Sequence, residues 1–559
     1  MVEQVERPLR GKPLAPKGHG GWHIFGTPPA GLEQALNAWG GGGVVLCLPV
    51  DVNVMLEAAK TVLDNTSEHC YFVLVQHGMS AAAFARTLHR EQPDITTCVI
   101  TLPFDENAVE RILAEVQIAK AYHEICYDPV RRERVLKPLK EYKAAPHVLT
   151  ADDVLLVTGG GKGITAECAA ALARDSGVRL VLLGRARPEK DAELSENLAR
   201  FQSMGINFKY FQTDVTDAEA VKATVAEVGT VTAILHGAGA NQPTTLRDLD
   251  ETAFQRTLAP KVDGLSHLLA AIDPKQLRLL ISFGSIIATT GMPGEADYAV
   301  ANEWLASMTA AFHKEHPNCR CLTLEWTVWS GVGMGRRLGS DEILAEQGIT
   351  PIPPDVGVAI LRQAVSDWPT ATVVVTGRMP DVPTLRLERP DMPFLRFLEH
   401  PRVYYPGIEL VVEAEISLTS DPYLNDHVYE GQRLFPAVMG LEAMAQVAST
   451  VLGVEEVPVF EEVEFSRPVV VEEAETLQIA ALVQSGERVD VALRCAQTGF
   501  KVDHFRARCR FGSHSVQGTP CTPGGKVAIA PERELYGSLL FQERTALYST
   551  RRISAIQCP

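Results

Sequence analysis

A short stretch near residue 160 constrains the fold more than any other part of the sequence. The segment Asp153–Arg174 reads DVLLVTGGGKGITAECAAALAR and begins with an apolar run that is typical of a buried parallel strand. Four of the five residues after Thr158 are glycine, and from Ile164 apolar residues recur at helical spacing. This order suits a nucleotide phosphate, because glycines allow close backbone approach and a helix N-terminus attracts anions. The alternative is an ordinary tight turn between a strand and a helix, since a glycine pattern alone is weak evidence.

A second strand, predicted at Arg179–Leu183, ends in the sequence Gly-Arg-Ala-Arg. In a dinucleotide-binding fold this strand end lies beside the adenosine ribose, where an arginine accommodates the 2′-phosphate of NADP. The position therefore favours NADPH, with Arg185 as the phosphate partner. The alternative is an exposed arginine that merely ends a strand.

Three more strands are predicted at Phe208–Gln212, Val231–Leu235 and Leu279–Ser282. The first leads into an Asp-Val pair and the second into a Gly-Ala-Gly motif. Strands that alternate with helices indicate a doubly wound parallel sheet, which we assign to residues 149–393. The predicted cofactor-binding residues are Thr158, Gly159, Gly160, Gly161, Lys162, Gly163, Ile164, Arg185, Asp214, Val215, Gly237, Ala238 and Gly239.

The chain before this sheet predicts a second unit of the same class. Residues 1–20 are rich in proline, glycine and basic residues and predict a flexible leader. Residues 21–148 alternate apolar runs with helical segments, which indicates another Rossmann-like sheet. Gly40–Gly43 precedes a strand instead of following one, so we predict that this unit is structural and binds no cofactor.

Composition excludes several classes of partner. The 559 residues carry a formal net charge of −17, which argues against nucleic acid and against an anionic membrane surface. The 11 cysteines include no CxxC pair, so we expect reduced thiols in a cytoplasmic protein and no metal site. No secretory signal is visible at the N-terminus, and the apolar runs are too short to span a bilayer.

Six motifs occur in an order that resembles a known family. They are TGGGKGIT, HGAGA, PKVDG, FGS, YAVAN and LEWTVWSGVGM, spread over residues 158–334. This set resembles the ketoreductase domains of type I polyketide synthases, within the short-chain dehydrogenase/reductase superfamily. TGGGKGITAE with HGAGANQP looks most like the iterative synthases of enediyne or polyunsaturated fatty acid type. Residues 21–148 then resemble the non-catalytic structural subdomain of such ketoreductases.

The resemblance implies a catalytic set of Ser285, Tyr298, Lys261 and Asn302. Hydride reduction of a ketone leaves negative charge on oxygen, so a site needs a donor to hold the carbonyl and an acid to protonate it. Ser285 can hold the ketone and Tyr298 can protonate it, and a nearby ammonium should lower the pKa of the phenol. Superfamily members usually take that lysine from the position of Asn302, so Lys261 is expected to replace it. The alternative for Lys261 is a solvated helix lysine.

From about Phe394 the sequence predicts an antiparallel sheet around one helix, Val438–Val451, which suggests a hot-dog fold. His427 opens HVYEGQRLFP, which resembles the HxxxGxxxxP motif of polyketide dehydratases, where a histidine acts as general base. We predict a first hot-dog over residues 394–530 and a truncated start of a second over 531–559. The aspartate partner of the family would lie on the second. One alternative is that Glu442, in EAMAQ, serves His427 of a paired copy.

The sequence thus predicts NADPH-dependent reduction of a β-ketoacyl thioester carried by the phosphopantetheine of an acyl carrier protein. Ketosynthase and acyltransferase are expected on separate chains, and the protein is a possible homodimer. Two rivals remain: a free-standing short-chain alcohol dehydrogenase, and a non-catalytic scaffold that binds acyl chains. NADPH oxidation with a β-ketothioester separates all three.

Overall fold

The apolar runs that predict buried strands form two largely parallel sheets in the computed structural model. The structure describes residues 1–64, 70–139, 149–333, 348–368, 371–485, 487–512, 527–528 and 555–556. They divide into two units, 1–387 and 388–559. We call the second the C-terminal unit. Apart from residues 555–556, the predicted start of a second hot-dog at 531–559 lies outside the described residues.

The first sheet carries the order β1-β7-β6-β5-β4-β3-β2, with β2 to β6 parallel and β7 antiparallel to β1 and β6. Its strands are β1 (Val2–Glu6), β2 (Gly21–Gly26), β3 (Gly42–Cys47), β4 (Tyr71–Gln76), β5 (Thr96–Thr101), β6 (Tyr122–Tyr127) and β7 (Arg131–Leu136). Its helices are α1 (Leu32–Trp39), α2 (Val52–Asp64), α3 (Ala82–Glu91) and α4 (Ala108–Ile118). The fully buried faces of β3 and β4 explain their unbroken apolar sequences.

The prediction of a flexible leader over residues 1–20 is wrong for its first part. Val2–Glu6 pairs antiparallel with β7 across five residue pairs, from Val2 opposite Leu136 to Glu6 opposite Arg132. The alternating side chains of Val-Glu-Gln-Val-Glu suit a half-exposed edge strand, and the pairing satisfies backbone groups that a free leader would leave to water.

The second sheet is parallel throughout and has the order β10-β9-β8-β11-β12-β13-β14, which is the doubly wound arrangement predicted from the sequence. Its strands are β8 (Val154–Thr158), β9 (Arg179–Gly184), β10 (Phe208–Gln212), β11 (Ala233–His236), β12 (Leu279–Ser285), β13 (Arg320–Trp326) and β14 (Ala371–Val375). The helices are α5 (Gly163–Ser176), α6 (Ala192–Ser203), α7 (Ala218–Val228), α8 (Glu251–Leu258), α9 (Val262–Ala271), α10 (Ile286–Thr290), α11 (Ala296–Glu315) and α12 (Pro354–Asp367). A short strand, β15 (Arg386–Leu387), pairs with β7 of the first sheet.

The C-terminal unit is an antiparallel sheet packed on one helix, as the sequence predicts. Its sheet has the order β16-β17-β21-β22-β23-β20. The strands are β16 (His400–Tyr405), β17 (Glu409–Ser417), β20 (Val459–Phe465), β21 (Ala474–Ser485), β22 (Arg488–Cys495) and β23 (Phe505–Arg510), with two small pairs, β18 (Val428–Tyr429) with β19 (Gln432–Arg433) and β24 (Val527–Ala528) with β25 (Ala555–Ile556). The helix α13 (Ala437–Leu452) buries Ala443, Met444, Val447 and Val451 in the core of this sheet.

No helix in the part of the chain that the structure describes is both long and apolar enough to span a membrane. Likewise, these residues contain no cluster of three or more His, Cys, Asp or Glu side chains that could hold a metal ion.

Candidate active site

A cavity of about 930 Å³ lies at the carboxyl ends of the second sheet's strands. The glycine turn after β8 and the ends of β9 and β10 form one end, which we call the nucleotide end. Ser285, Tyr298, Asn241 and Met292 line the other, which we call the substrate end. In open parallel sheets this crevice, at the point where the strand order reverses, is where ligands bind.

The backbone at the nucleotide end is tightly packed. Gly159 has a φ of +69°, and a Cβ there would lie 2.9 Å from the carbonyl oxygen of Gly237. A side chain at this position would therefore strain the turn and push the two strand ends apart. The glycine turn leads directly into the N-terminus of α5, so the geometry predicted for a phosphate cradle is present.

Eleven of the thirteen predicted cofactor residues line the cavity, and two do not. Those that do are Gly159, Gly161, Lys162, Gly163, Ile164, Arg185, Asp214, Val215, Gly237, Ala238 and Gly239. Thr158 is fully buried, and its hydroxyl accepts hydrogen bonds from the amides of Gly237 at 3.2 Å and Ala238 at 3.1 Å. Gly160 packs against Val157. Thr158 and Gly160 thus pack behind the residues that line the cavity. The prediction that these two residues contact the cofactor is not supported.

Ser285 is the last residue of β12 and the N-cap of α10. Its Oγ accepts a hydrogen bond from the amide of Ile287 at 3.3 Å, which orients the side chain and leaves its own proton available for donation. Because the strand continues three residues beyond the predicted end at Ser282, Ser285 is held by the sheet and not by a loop.

Lys261 and Tyr298 lie together at the substrate end, although they belong to different helical segments of the chain. The Nζ of Lys261 is 5.6 Å from the centroid of the Tyr298 ring and donates to the carbonyl oxygen of Phe283 at 2.9 Å. The structure therefore brings together the three side chains predicted to act on the ketone. The solvated alternative for Lys261 is wrong, because the residue is only 3% exposed.

Asn302 does not line the cavity. It is fully buried one helical turn after Tyr298, and its Nδ2 donates to the carbonyl oxygen of Tyr298 at 2.6 Å. The Asn302 side chain thus acts on the backbone that carries the tyrosine, and its side-chain interaction with Tyr298 also lowers the pKa of the phenol. Its predicted direct role in catalysis stays a prediction, and its position points to a positioning residue.

The electrostatics of the phenol differ from the sequence-based expectation. The pKa of Tyr298 is raised to about 12, because burial disfavours the phenolate and Glu295 lies close, and a hydrogen bond from Asn302 only partly offsets this. The predicted lowering is therefore wrong for this state of the protein. Burial lowers the pKa of Lys261 to about 8, so its side chain is still mostly an ammonium at neutral pH. The arrangement is a protonated phenol beside a cation, which is the form that a proton donor requires.

Two polar side chains at the substrate end, Glu295 and Asn241, were not identified from the sequence. Glu295 is 6% exposed, and one of its oxygens accepts a hydrogen bond from the Asn241 amide at 3.1 Å. Both residues line the cavity. A carboxylate in the glycine-rich loop three residues before Tyr298 was the available signal, since such loops carry function more often than core positions do.

The first sheet supplies contacts that fix the turn after Ser285. Arg86 on α3 donates to the carbonyl oxygen of Ala288, and Arg134 on β7 donates to the carbonyl oxygen and hydroxyl of Thr289 at 2.9 and 2.8 Å. Gly291 follows this turn with a φ of +65°, and a Cβ there would lie 2.6 Å from the backbone of Arg86. The first sheet and its helices therefore pack directly against the turn that follows Ser285.

A further hydrogen bond holds the loop Gly291–Glu295, which leads into Tyr298. The carboxylate of Glu91, the last residue of α3, accepts from the amide of Gly294 at 2.9 Å and from that of Leu246 at 3.1 Å. The loop is thus clamped from the first sheet at both of its ends.

The C-terminal unit has its own candidate residues. His427 is half-buried, its Nδ1 has no hydrogen-bond partner among the described residues, and burial lowers the pKa of the imidazole. A neutral imidazole is the form that can take up a proton. Glu442 is exposed on α13, where it accepts a hydrogen bond from Gln446 at 2.9 Å.

Comparison with known families gives two domain matches. Residues 154–331 match the family described as KR domain, and residues 400–495 match the family described as polyketide synthase dehydratase domain. The first match spans the strands that build the cavity from β8 to β13. The second includes His427 and Glu442.

Similar proteins of known identity are very large synthases. Erythronolide synthase EryA3 of Saccharopolyspora erythraea is 33% identical over 228 residues, which are 40% of this chain and 7% of that protein. Polyketide synthase PksL of Bacillus subtilis (strain 168) is 28% identical over 342 residues, which are 56% of this chain and 7% of that protein. The chain therefore spans less than a tenth of the length of these relatives.

Solved structures with the same fold are ketoreductases. The ketoreductase PlmKR1, from the first module of phoslactomycin biosynthesis in Streptomyces sp. HK803, superposes with a TM-score of 0.56 at 19% identity, covering 69% of this chain and 97% of that one. An A-type ketoreductase from a modular polyketide synthase gives a TM-score of 0.57 at 20% identity, covering 68% and 92%. At this identity the likeness shows the fold.

Proposed function

We propose a function from the premise that this chain carries a ketoreductase domain and a dehydratase region of the type I polyketide synthase kind. In this proposal the chain reduces a β-ketoacyl thioester to the β-hydroxyacyl thioester with NADPH. The observation that carries the proposal is the meeting of Ser285, Tyr298 and Lys261 at one end of a cavity whose other end is a glycine turn at a helix N-terminus. The substrate is bound as the phosphopantetheine thioester of an acyl carrier protein, and the chain acts beside ketosynthase and acyltransferase activities. The enediyne or polyunsaturated fatty acid subtype remains part of the proposal.

The roles of the side chains follow from their contacts. The hydroxyl of Ser285, oriented by the Ile287 amide, donates to the ketone oxygen. Tyr298 gives its proton to the same oxygen as charge develops there. The ammonium of Lys261 then stabilises the phenolate that remains, because Lys261 is buried beside the ring and little water screens it. Bound NADPH supplies the hydride.

The nucleotide end fits this cofactor. The pyrophosphate requires close backbone approach, which Gly159 and the start of α5 provide. The guanidinium of Arg185 is exposed at the end of β9, and no described residue pairs with it. An unpaired arginine at this strand end suits a 2′-phosphate, which it can bind with two parallel hydrogen bonds.

The proposal is tested by turnover of the full chain. With the N-acetylcysteamine thioester of 3-oxobutyrate, we expect NADPH oxidation and formation of the 3-hydroxy product. Binding of NADPH without oxidation would favour the scaffold alternative, and a preference for simple ketones would favour the free-standing alcohol dehydrogenase.

Replacement of Arg185 with alanine is expected to raise the KM for NADPH by about 10- to 100-fold, because one charge-assisted interaction with the 2′-phosphate is lost. The KM for NADH should change little. Arg187 is the matched control, since it is also exposed and lies two residues further along the same strand end. Steady-state kinetics with both cofactors measure the effect. Equal losses with NADPH and NADH, or an equal effect of R187A, would contradict the assignment of Arg185.

For the C-terminal unit we propose a dehydratase half-site in which His427 removes the α-proton of a β-hydroxyacyl thioester. Glu442 of a paired copy is the proposed acid, since it is exposed on α13. We expect the full chain to form the α,β-unsaturated thioester from a 3-hydroxybutyryl thioester and H427A to do so at least about 100-fold more slowly. Product is followed by its ultraviolet absorbance. No turnover by a chain that is still active in ketoreduction would exclude this half-site as a catalyst.

A further inference from the structure

The substrate end of the cavity contains a carboxyl group that the proposed mechanism does not use. Glu295 is 6% exposed and lines the cavity together with Ser285 and Tyr298. Its Oε1 accepts the hydrogen bond from Asn241, whereas its buried Oε2 has no hydrogen-bond partner in the described part of the chain. A buried carboxyl oxygen without a partner costs free energy, so its retention beside a ligand cavity points to a ligand contact.

The charged groups around Glu295 do not include a salt-bridge partner among the described residues. Asp297 and Tyr298 lie on the same helix, and Lys261 lines the cavity from the start of α9. From α3, Glu91 holds the neighbouring Gly294 amide, and Arg90 reaches the same cavity. Burial raises the pKa of Glu295 to about 7, the hydrogen bond from Asn241 opposes this rise, and Asp297 adds to it. The carboxyl is therefore substantially protonated at and below neutral pH.

We infer that Glu295 is a substrate-binding residue whose protonated Oε2 donates a hydrogen bond to the thioester carbonyl oxygen of the β-ketoacyl substrate. This inference rests on the proposed function for the identity of the substrate. It assigns to Glu295 the second of the substrate's two oxygens, while Ser285 and Tyr298 hold the first.

The geometry of the substrate fits this assignment. A β-ketoacyl thioester carries two carbonyl groups that one methylene separates, so two neighbouring donor sites are needed. Glu295 precedes Tyr298 by three residues, and its carbonyl oxygen accepts the amide of Ala299 at 2.8 Å, so it is continuous with the first turn of α11. Glu295 is the N-cap of that helix, and it lies close enough to Tyr298 for its charge to raise the pKa of the phenol. Asn241 occupies Oε1, which leaves the unpartnered Oε2 of this cavity-lining side chain to carry the proton of the acid.

The test measures binding without turnover. The full chain, without nucleotide, is titrated by calorimetry with the N-acetylcysteamine thioester of 3-oxobutyrate at about pH 6 and about pH 8. Between these values the protonated fraction of a group with a pKa near 7 falls about ten-fold. We expect the Kd of the wild-type chain to rise about ten-fold and that of E295Q to rise less than about two-fold, because glutamine keeps both the acceptor for Asn241 and a donor that does not titrate.

A matched ketone, in which the thioester carbonyl is replaced by methylene, identifies the atom that is bound. For this ligand we expect the wild-type Kd to change less than about two-fold over the same pH range. Equal pH dependence in the wild-type chain and E295Q, or equal dependence for both ligands, would overturn the inference. Because no reductant is present, failure of the proposed reduction is measured separately, by NADPH oxidation.

Discussion

Replacement of Tyr298 with phenylalanine is expected to lower kcat for ketone reduction by about 10²- to 10⁴-fold, which is the range for loss of a positioned proton donor. The phenol is protonated at neutral pH, since its pKa is about 12, and the change removes only its hydroxyl. The ring, its contact with Lys261 and the backbone bond from Asn302 all remain. Initial rates of NADPH oxidation with a β-ketothioester measure the effect.

The matched control is Tyr210→Phe. Tyr210 also lines the cavity, but at the nucleotide end, where its hydroxyl donates to the carbonyl oxygen of Ala186 at 2.6 Å. We expect Y210F to lower kcat less than about ten-fold, as for the loss of one ordinary hydrogen bond. NADPH binding, followed by fluorescence, should be unchanged in Y298F. Comparable loss of kcat in the two variants would contradict the role of Tyr298 as proton donor.

Replacement of Arg86 with methionine is expected to lower the free energy of unfolding of the first unit, residues 1–387, by about 3–5 kcal/mol. Arg86 is 4% exposed, bonds both oxygens of Glu124 at 2.9 and 2.6 Å, and lies 3.7 Å from Glu303. Without its guanidinium, two partly buried carboxylates lose a cation and the carbonyl of Ala288 loses a donor. Thermal denaturation of the full chain measures this as a midpoint lowered by roughly 5 °C or more.

Arg247 provides the control, because it also pairs with a carboxylate of the first subdomain but in solvent. Its Nη1 lies 2.8 Å from Asp64, and the two side chains are 54% and 73% exposed. R247M should cost less than about 1 kcal/mol, since exposed ion pairs contribute little. Similar midpoints for R86M and R247M would show that the buried network is not what joins the two sheets.

The ion pairs around Arg86 also predict how the stability of the folded state depends on pH. Burial would raise the pKa of Glu124, but Arg86 and Arg134 outweigh it and lower the pKa to about 2, below an ordinary value of 4.5. A carboxyl whose pKa is lower in the folded state stabilises it above the ordinary value and loses that contribution as the pH falls toward 2. In R86M this acid-dependent loss should be smaller.

The sequence predicted the second sheet, and most of the candidate residues that line its cavity, because their signals are local. The glycine turn, the strand end at Arg185 and the spacing from Ser285 to Tyr298 each belong to one strand–helix step, and the order of those steps determines a parallel sheet. The C-terminal unit was predictable for the same reason, through alternating strands around one helix. These patterns reflect which face of an element is buried, and burial is encoded in periodicity.

What could not be predicted depends on contacts between distant segments. The pairing of Val2–Glu6 with β7 joins residues more than a hundred positions apart, and a short mixed sequence carries no signal for it. Likewise, the withdrawal of Asn302 from the cavity and the raised pKa of Tyr298 follow from the packing of α11. Glu295 became a candidate only when its buried oxygen could be inspected in three dimensions.

The contact of Gly291 with Arg86 has a consequence for the design of chimeric enzymes. Domain boundaries chosen from the family match alone would cut ahead of β8 and transplant residues 154 onward. Such a graft would separate the turn after Ser285 from Arg86 and Arg134, which donate hydrogen bonds to it. It would also expose Gly291, which packs closely against the backbone of Arg86 in this chain. Transfer of the region that contains the cavity into a related chain should therefore carry both sheets together, with the recombination point placed ahead of Val2.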